Sequence, residues 1–145
     1  MKKLLFIALV ACMAQAQAAS VLIESSMNVG FAPPGSQGTF KVQILSDGTI
    51  QKVDNKQKTT KFAKLSAAAV KSLNQQIAKL QIEDLQGEDG PICNDAPSRK
   101  NTVIKNAQEI IIKTNIDCNT KEMSSAYNLN TIMDSADSLS SSLSR

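Results

Sequence analysis

This 145-residue chain contains no histidine. Its candidates for acid–base or nucleophilic chemistry are therefore serine and carboxylate side chains. Without an imidazole, a Ser-His-Asp triad, a Cys-His dyad and an HExxH zinc site are all excluded. Ser98 and Lys100 lie two residues apart, which is not the S-x-x-K spacing of serine–lysine enzymes. We therefore expect Ser98 to cap a turn, and the sequence predicts no catalytic residue.

An acidic segment at 83–98 supplies most of the candidate carboxylates. Glu83 or Glu88 with Asp95 could provide the acid and base of a glycosidase, and Glu88, Asp89 and Asp95 could bind calcium. However, the D-x-D-x-D-G spacing of a calcium loop is missing, and the aromatic residues that line sugar-binding clefts make up only 3% of the chain. We predict no metal site and no cofactor, and a carboxylate-based hydrolase is the third functional hypothesis.

Lysines are concentrated between residues 41 and 79, where the only acidic residues are Asp47 and Asp54. The densest part of this stretch could attract nucleic acid or anionic lipid, and it contains Lys52, Lys56, Lys58, Lys61 and Lys64. Lysines on an edge strand also prevent strand-to-strand aggregation. We expect this structural role, with lipopolysaccharide or acidic glycans as the weaker alternative.

Residues 1–18 have the pattern of a secretory signal peptide. Two lysines precede an apolar run at 4–13, and Ala16-Gln17-Ala18 has small residues where signal peptidase requires them. The apolar run is too short to span a bilayer, and no second long apolar stretch follows. The sequence therefore predicts a periplasmic or secreted protein, cleaved after Ala18. Loss of the two lysines takes the net charge from +3 to +1.

A rival pattern lies inside the same segment. Leu9-Val10-Ala11-Cys12 resembles a bacterial lipobox, which would make Cys12 the lipidated first residue of an envelope lipoprotein. Cleavage before Cys12 would leave a very short apolar run, so we prefer cleavage after Ala18. An envelope lipoprotein with a structural role is the alternative functional hypothesis.

Two cysteines, Cys93 and Cys118, remain after cleavage at Ala18. An even number of cysteines in an exported chain indicates a disulfide. The two residues do not form a C-x-x-C pair, which argues against a redox enzyme. The sequence predicts one structural disulfide between them.

The elements that position these side chains follow from hydrophobic periodicity and turn residues. A short strand at 21–23 and a turn-rich loop to 38 precede a β-hairpin at 39–46 and 49–54, whose Asp47-Gly48 pair favours a type I′ turn. A third strand at 59–63, a helix from Ser66 to about Gln81, a second hairpin at 102–117 and a C-terminal helix follow. This order predicts an α+β domain at 39–143, with a mainly antiparallel sheet built from two β-hairpins and two helices packed on one face.

The loop at 26–38 combines apolar side chains with turn residues and cannot easily bury itself. Exposed apolar residues in loops often form contact surfaces. The predicted partner-contact residues are Met27, Val29, Phe31, Pro33 and Pro34. The alternative is that Phe31 folds back onto the edge of the sheet.

Three fragments carry a resemblance: F-K-V-Q-I-L-S-D-G-T-I at 40–50, Leu65-Ser66, and C-N-D-A-P-S at 93–98 with the second cysteine at 118. Together they resemble a group of small exported bacterial proteins of unknown function, which implies a fold and a compartment but no reaction. The order of hairpins and helices is also similar to that of emfourin-type inhibitors of bacterial metalloproteases. We therefore predict an exported, non-catalytic binding module, with inhibition of an extracellular or periplasmic enzyme as its specific form. We expect its partner to be a protein rather than nucleic acid, and we expect no membrane span.

Overall fold

A computed structural model describes residues 18–30, 38–93, 96–116 and 118–142. The predicted signal peptide, apart from Ala18, lies outside these ranges, as do Cys12, Phe31, Pro33 and Pro34. The elements in chain order are β1 (Val21–Asn28), β2 (Thr39–Leu45), β3 (Thr49–Val53), β4 (Thr59–Lys64), α1 (Ala67–Lys79), β5 (Ser98–Lys105), β6 (Gln108–Ile116), β7 (Asn119–Glu122), a 3₁₀ turn (Ser124–Ala126) and α2 (Tyr127–Ser142). No helix within the described ranges combines the length and the apolar character needed to cross a membrane.

The seven strands form one antiparallel sheet in the order β4-β3-β2-β1-β5-β6-β7. The first strand lies at the centre of the sheet. On each side of it, a meander of three strands is followed in the chain by a helix. The predicted class, an α+β fold with a mainly antiparallel sheet, two helices and one disulfide, is confirmed.

The prediction that two β-hairpins build the sheet is wrong, because the sheet is larger. The first strand continues beyond the apolar run at 21–23 to Asn28, β5 begins at Ser98, and β7 has the polar sequence Asn-Thr-Lys-Glu. Most of these additional residues are polar, so hydrophobic alternation does not reveal them. Ladder hydrogen bonds to neighbouring strands, which any residue except proline can make, hold them in the sheet.

The turn between β2 and β3 differs from the predicted type I′ turn. Gly48 has a φ of +85°, whereas Asp47 is not in the left-handed region. The Asp47 carboxylate accepts the N–H and the hydroxyl of Thr49, both at 2.9 Å, and Gly48 donates its N–H to the Leu45 carbonyl. These bonds fit a three-residue connection in which a type I turn ends in a left-handed glycine. The two bonds from Thr49 also lower the pKa of Asp47.

Alternate strand residues and one stripe of each helix form a single core. The helices contribute Leu73 and Ile77 of α1 and Leu129 and Met133 of α2. Both helices therefore pack on the same face of the sheet. The fully buried apolar residues of the sheet on that face are Ile23, Val42, Ile44, Val103 and Ile112.

The first helix starts as its sequence predicts. The Ser66 hydroxyl accepts the N–H of Ala69 at 3.2 Å and so satisfies one of the unpaired amides of the first turn. The helix ends at Lys79, two residues before the predicted end, because the N–H of Leu80 turns back to the Ile77 carbonyl.

The acidic segment before Cys93 covers the edge strand β7. Gln86 and Glu122 exchange two backbone hydrogen bonds of 3.0 and 2.9 Å. Gly87 packs so closely on β7 that a Cβ there would overlap the carbonyl oxygen of Thr120. The predicted disulfide between Cys93 and Cys118 is formed, with the Cα atoms 5.5 Å apart. The disulfide therefore ties this covering segment to the turn between β6 and β7.

Candidate functional site

A cluster of polar and charged side chains lies between the sheet and α2. Asp137 of α2 accepts a hydrogen bond from the Ser25 hydroxyl at 2.9 Å and is paired with the Arg99 guanidinium. Arg99 also donates its Nε–H to Ser25 Oγ at 3.0 Å and reaches Asp134 at 2.8 Å. Lys113 contacts the other oxygen of Asp134 at 3.1 Å. Two cations and two carboxylates thus join β5 and β6 to α2.

A second pair of buried polar residues extends this cluster. Asn101 donates from Nδ2 to Oδ1 of Asn130 at 3.0 Å, and Asn130 donates to the Ile112 carbonyl at 3.3 Å. Both side chains are fully buried. Sequence reasoning missed this cluster, although one signal was available. Ser25 and Asn101 each stand two residues from a core residue of the same strand, Ile23 and Val103, and therefore share its inward face.

The cluster is a structural network rather than a nucleophilic centre. Ser25 is only 2% exposed, and its hydroxyl is engaged on both sides, so no substrate reaches it. Burial raises the pKa of Asp137, although Arg99 and the Ser25 hydroxyl favour its charged form. A serine beside a carboxylate, without an access path for substrate, lacks a part that nucleophilic catalysis needs.

Two carboxylates of the acidic segment that the structure describes have separate partners. Glu83 accepts the N–H of Ser125 at 2.8 Å, and Asp89 pairs with Lys121 at 2.7 Å, which lowers the pKa of Asp89. Asp95 lies outside the described residues. Within the described ranges, no three His, Cys, Asp or Glu residues are grouped closely enough to hold a metal ion.

Ser98 and Lys100 occupy the first part of β5 and, two residues apart, share one face of the strand. Lys100 stands opposite Ser26 on one side and Thr114 on the other. Of the described side chains, no carboxylate lies beside this pair in the strand register. The prediction that Ser98 caps a turn is wrong. Ser98 is the first residue of β5, and it stands opposite Asn28 of β1.

The predicted contact residues Met27 and Val29 lie at one end of the sheet. Met27 stands opposite Phe40 on β2 and Arg99 on β5, on the helix-bearing face but beyond the core. Val29 follows the end of β1 and is 41% exposed. Together with Phe40 and Lys52 they form a surface that we call the β1–β2 ledge.

The ledge contains a shallow depression of about 280 Å³. Val29, Phe40 and Lys52 line one part of it, and Asp54 and Asn55 line another. The Lys52 ammonium lies 4.5 Å from the centre of the Phe40 ring, a cation–π contact that holds the ring in place. The depression therefore offers an aliphatic and an aromatic surface framed by polar groups.

A groove on the other side of α2 is the more apolar of the two. It has a volume of about 260 Å³ and lies between α2 and the β2–β3 region, with Ile44, Ile50, Leu65, Ile132 and Leu139 among its lining. Most of these residues also belong to the core or pack against it. The groove is therefore the margin of the core, and the hydroxyls of Thr131 and Ser135, which also line it, donate to backbone carbonyls of their own helix.

Comparison of the chain with protein-family models, with curated proteins and with solved structures finds no match.

Proposed function

We propose that this protein is an exported, non-catalytic binding module that contacts a protein partner through the β1–β2 ledge. The observation that carries the proposal is the exposure of Val29 beside Met27 and Phe40. Three apolar side chains at the end of the sheet, with one of them 41% exposed, form a surface that favours contact with apolar side chains of a partner. Inhibition of an extracellular or periplasmic enzyme is the specific form that we propose for this contact.

The disulfide and the composition support the two other parts of the proposal. A disulfide that closes a long loop persists in oxidising compartments, which agrees with export through residues 1–18. The absence of histidine from the whole chain, and the burial of Ser25, support a non-catalytic role. The mass of the mature N-terminus tests the processing: Ala19 as first residue supports export by signal peptidase, and a lipidated Cys12 contradicts it.

The test of the ledge compares Val29→Asp with a matched control, Ile82→Asp. Ile82 is also an exposed aliphatic residue, at 68%. It lies shortly before Gln86, which bridges to β7, on the opposite side of the sheet from β2 and β3. Tagged wild-type and variant chains are isolated from the producing culture, and the proteins retained on each are quantified. We expect the wild type and Ile82→Asp to retain the same partner and Val29→Asp to retain at least 10-fold less, because a buried carboxylate opposes an apolar contact.

The enzymatic form of the proposal is tested with the same three chains. Each is titrated into the secreted protease activity of the culture, and we expect inhibition by the wild type and Ile82→Asp only. Equal behaviour of the two variants in both assays would remove the ledge from the proposal. Turnover of a peptide or glycan by the purified wild type would overturn the non-catalytic assignment.

A further inference from the structure

The face of the sheet that is turned away from both helices, which we call the open face, carries a ladder of polar side chains. Gln51 donates to Gln43 at 2.9 Å, and Gln43 donates to Glu24 at 2.7 Å. Ser25 and Ile44, their neighbours along the strands, face α2 and the core. Because successive strand residues alternate between faces, the ladder lies on the side opposite the helices.

A β-bulge places two lysines of the edge strand on this open face. Gln51 stands opposite Lys61, whereas Ile50 stands opposite Ala63, so Phe62 is an extra residue in β4. Lys61 and Lys64 are three residues apart and would alternate between faces in a regular strand. Because of the extra residue, Lys61 and Lys64 lie on the same face of the sheet. Lys64 stands opposite Thr49, which shares that face with Gln51.

The strand register adds further lysines to the same face. Lys41 stands opposite Ser26, and Lys100 stands opposite Ser26 on the other side, so both share the open face. Lys41 is paired with Glu24 at 2.9 Å. Within the described ranges, Lys61, Lys64 and Lys100 form no ion pair.

The register also places Glu109, opposite Ile104, and Lys121, opposite Thr114 and paired with Asp89, on this face. Asp47, in the turn before β3, is close enough to Lys61 and Lys64 to interact with both electrostatically. The strands of the open face thus carry five lysines against two glutamates, an excess of positive charge that Asp47 and Asp89 reduce, although the chain after cleavage at Ala18 is nearly neutral.

Exposed aliphatic residues accompany these cations. Ile111 stands opposite Thr102 and is 39% exposed, and Ile116, at 52%, lies near the end of the same strand. The register places no aromatic residue and no arginine on this face. Recognition of a sugar chain generally uses aromatic platforms or arginine forks, whereas lysines act as point charges without a preferred partner geometry.

We propose that the open face is a docking surface for an anionic phospholipid bilayer. Exposed lysines are attracted to the headgroup phosphates, and the aliphatic side chains of β6, on the strand next to Lys100, enter the interface. This is the combination that surface-bound membrane proteins use. Seven strands at a spacing of about 4.8 Å give a face about 29 Å wide, enough to lie over several headgroups. This contact is independent of the β1–β2 ledge, and it assigns to the lysines of β4 a role beyond edge protection.

The experiment measures co-sedimentation with vesicles of phosphatidylglycerol and of phosphatidylcholine, using the form of the chain isolated from the producing cells. Lys61→Gln/Lys64→Gln removes two charges from the open face. The control Lys71→Gln/Lys79→Gln removes two exposed charges from α1, on the opposite side, and gives the same net charge. Thermal unfolding monitored by circular dichroism checks that both variants are folded.

We expect binding of the wild type to phosphatidylglycerol vesicles only, and a loss of about 30-fold in the partition coefficient for Lys61→Gln/Lys64→Gln. The α1 variant should lose less than about 3-fold, and Ile111→Ser should weaken binding where Ile82→Ser does not. Equal losses in the two lysine pairs would show that net charge alone attracts the protein, which overturns the proposal. Binding to an acidic polysaccharide without binding to vesicles would also overturn it. Val29→Asp changes the β1–β2 ledge and not the open face, so it should leave vesicle binding unchanged.

Discussion

Replacing both cysteines with serine is expected to lower the free energy of unfolding by about 3.5 kcal/mol. The disulfide joins residues 25 positions apart, and chain-entropy reasoning for a loop of that size gives about 3.5 kcal/mol at 25 °C. Part of this loss of stability should be confined to the covering segment on β7. Without the bond between Cys93 and Cys118, the covering segment is held on β7 by the Gln86–Glu122 bridge and by the exposed pair of Asp89 with Lys121.

The backbone at Cys118 supplies a control within the same experiment. Its φ is +66°, in the left-handed region that favours glycine. Serine at 118 retains the cost of this conformation, and glycine removes about 1 kcal/mol of it. Cys93→Ser/Cys118→Gly is therefore expected to be about 1 kcal/mol more stable than Cys93→Ser/Cys118→Ser, although neither variant forms the disulfide.

Urea unfolding followed by far-ultraviolet circular dichroism gives the three free energies, and amide hydrogen exchange locates the change. The N–H groups of Gln86 and Glu122 should lose protection in both variants, while those of the central strand β1 should follow the global stability. A loss below about 1 kcal/mol with unchanged protection at Glu122 would refute this reasoning. It would mean that the backbone bridge and the packing of Gly87 hold the segment without the disulfide.

Two further predictions concern the strained turn and the buried acid. Ala107 has a φ of +61° in the turn between β5 and β6, so Ala107→Gly should raise the free energy of unfolding by about 1 kcal/mol, and a lower melting temperature would contradict this. Burial raises the pKa of Asp137 above 3.8, so the folded chain keeps this proton to higher pH than the unfolded chain. The contribution of protonated Asp137 to the free energy of unfolding is fully present below about pH 3.8, and it is lost as the pH rises through the folded-state pKa. Asp137→Asn should remove this decline, measured as the difference between the urea midpoints of variant and wild type across the acid range. Asp134→Asn should reduce the decline without removing it, because burial is the larger cause of the raised pKa and the Asp134 charge a smaller one.

The parts of the fold that could be predicted from the sequence are those with a local signal. Ser66 marks the start of α1 because a hydroxyl at that position satisfies amides of the first turn, and the apolar spacing of Leu73 and Ile77 identifies its buried face. The isoleucine run of β6 and the pair of cysteines, Cys93 and Cys118, are equally direct signals. In each case the residues within one element decide the outcome.

The parts that could not be predicted depend on residues distant in the chain. The acidic segment reads as a solvated loop, and only the presence of β7 beside it gives Gln86 and Gly87 their roles. The placing of both Lys61 and Lys64 on the open face depends on a bulge at Phe62. This bulge is a property of the pairing with β3, and the sequence of β4 alone does not reveal it. The candidate contact surface was predicted only through Met27 and Val29. Phe40 and Lys52 join them through strand pairing.

The central position of β1 bears on the order in which the chain folds. Each meander pairs strands that are close in sequence, and such local pairs form early. Ile23, by contrast, stands opposite Val103, 80 positions later in the chain. β1 therefore has one side unpaired until β5 docks on it, and this side is a template for association with other chains. The interval between the pairing of β1 with β2 and its pairing with β5 is the period in which the folding chain is most vulnerable to aggregation.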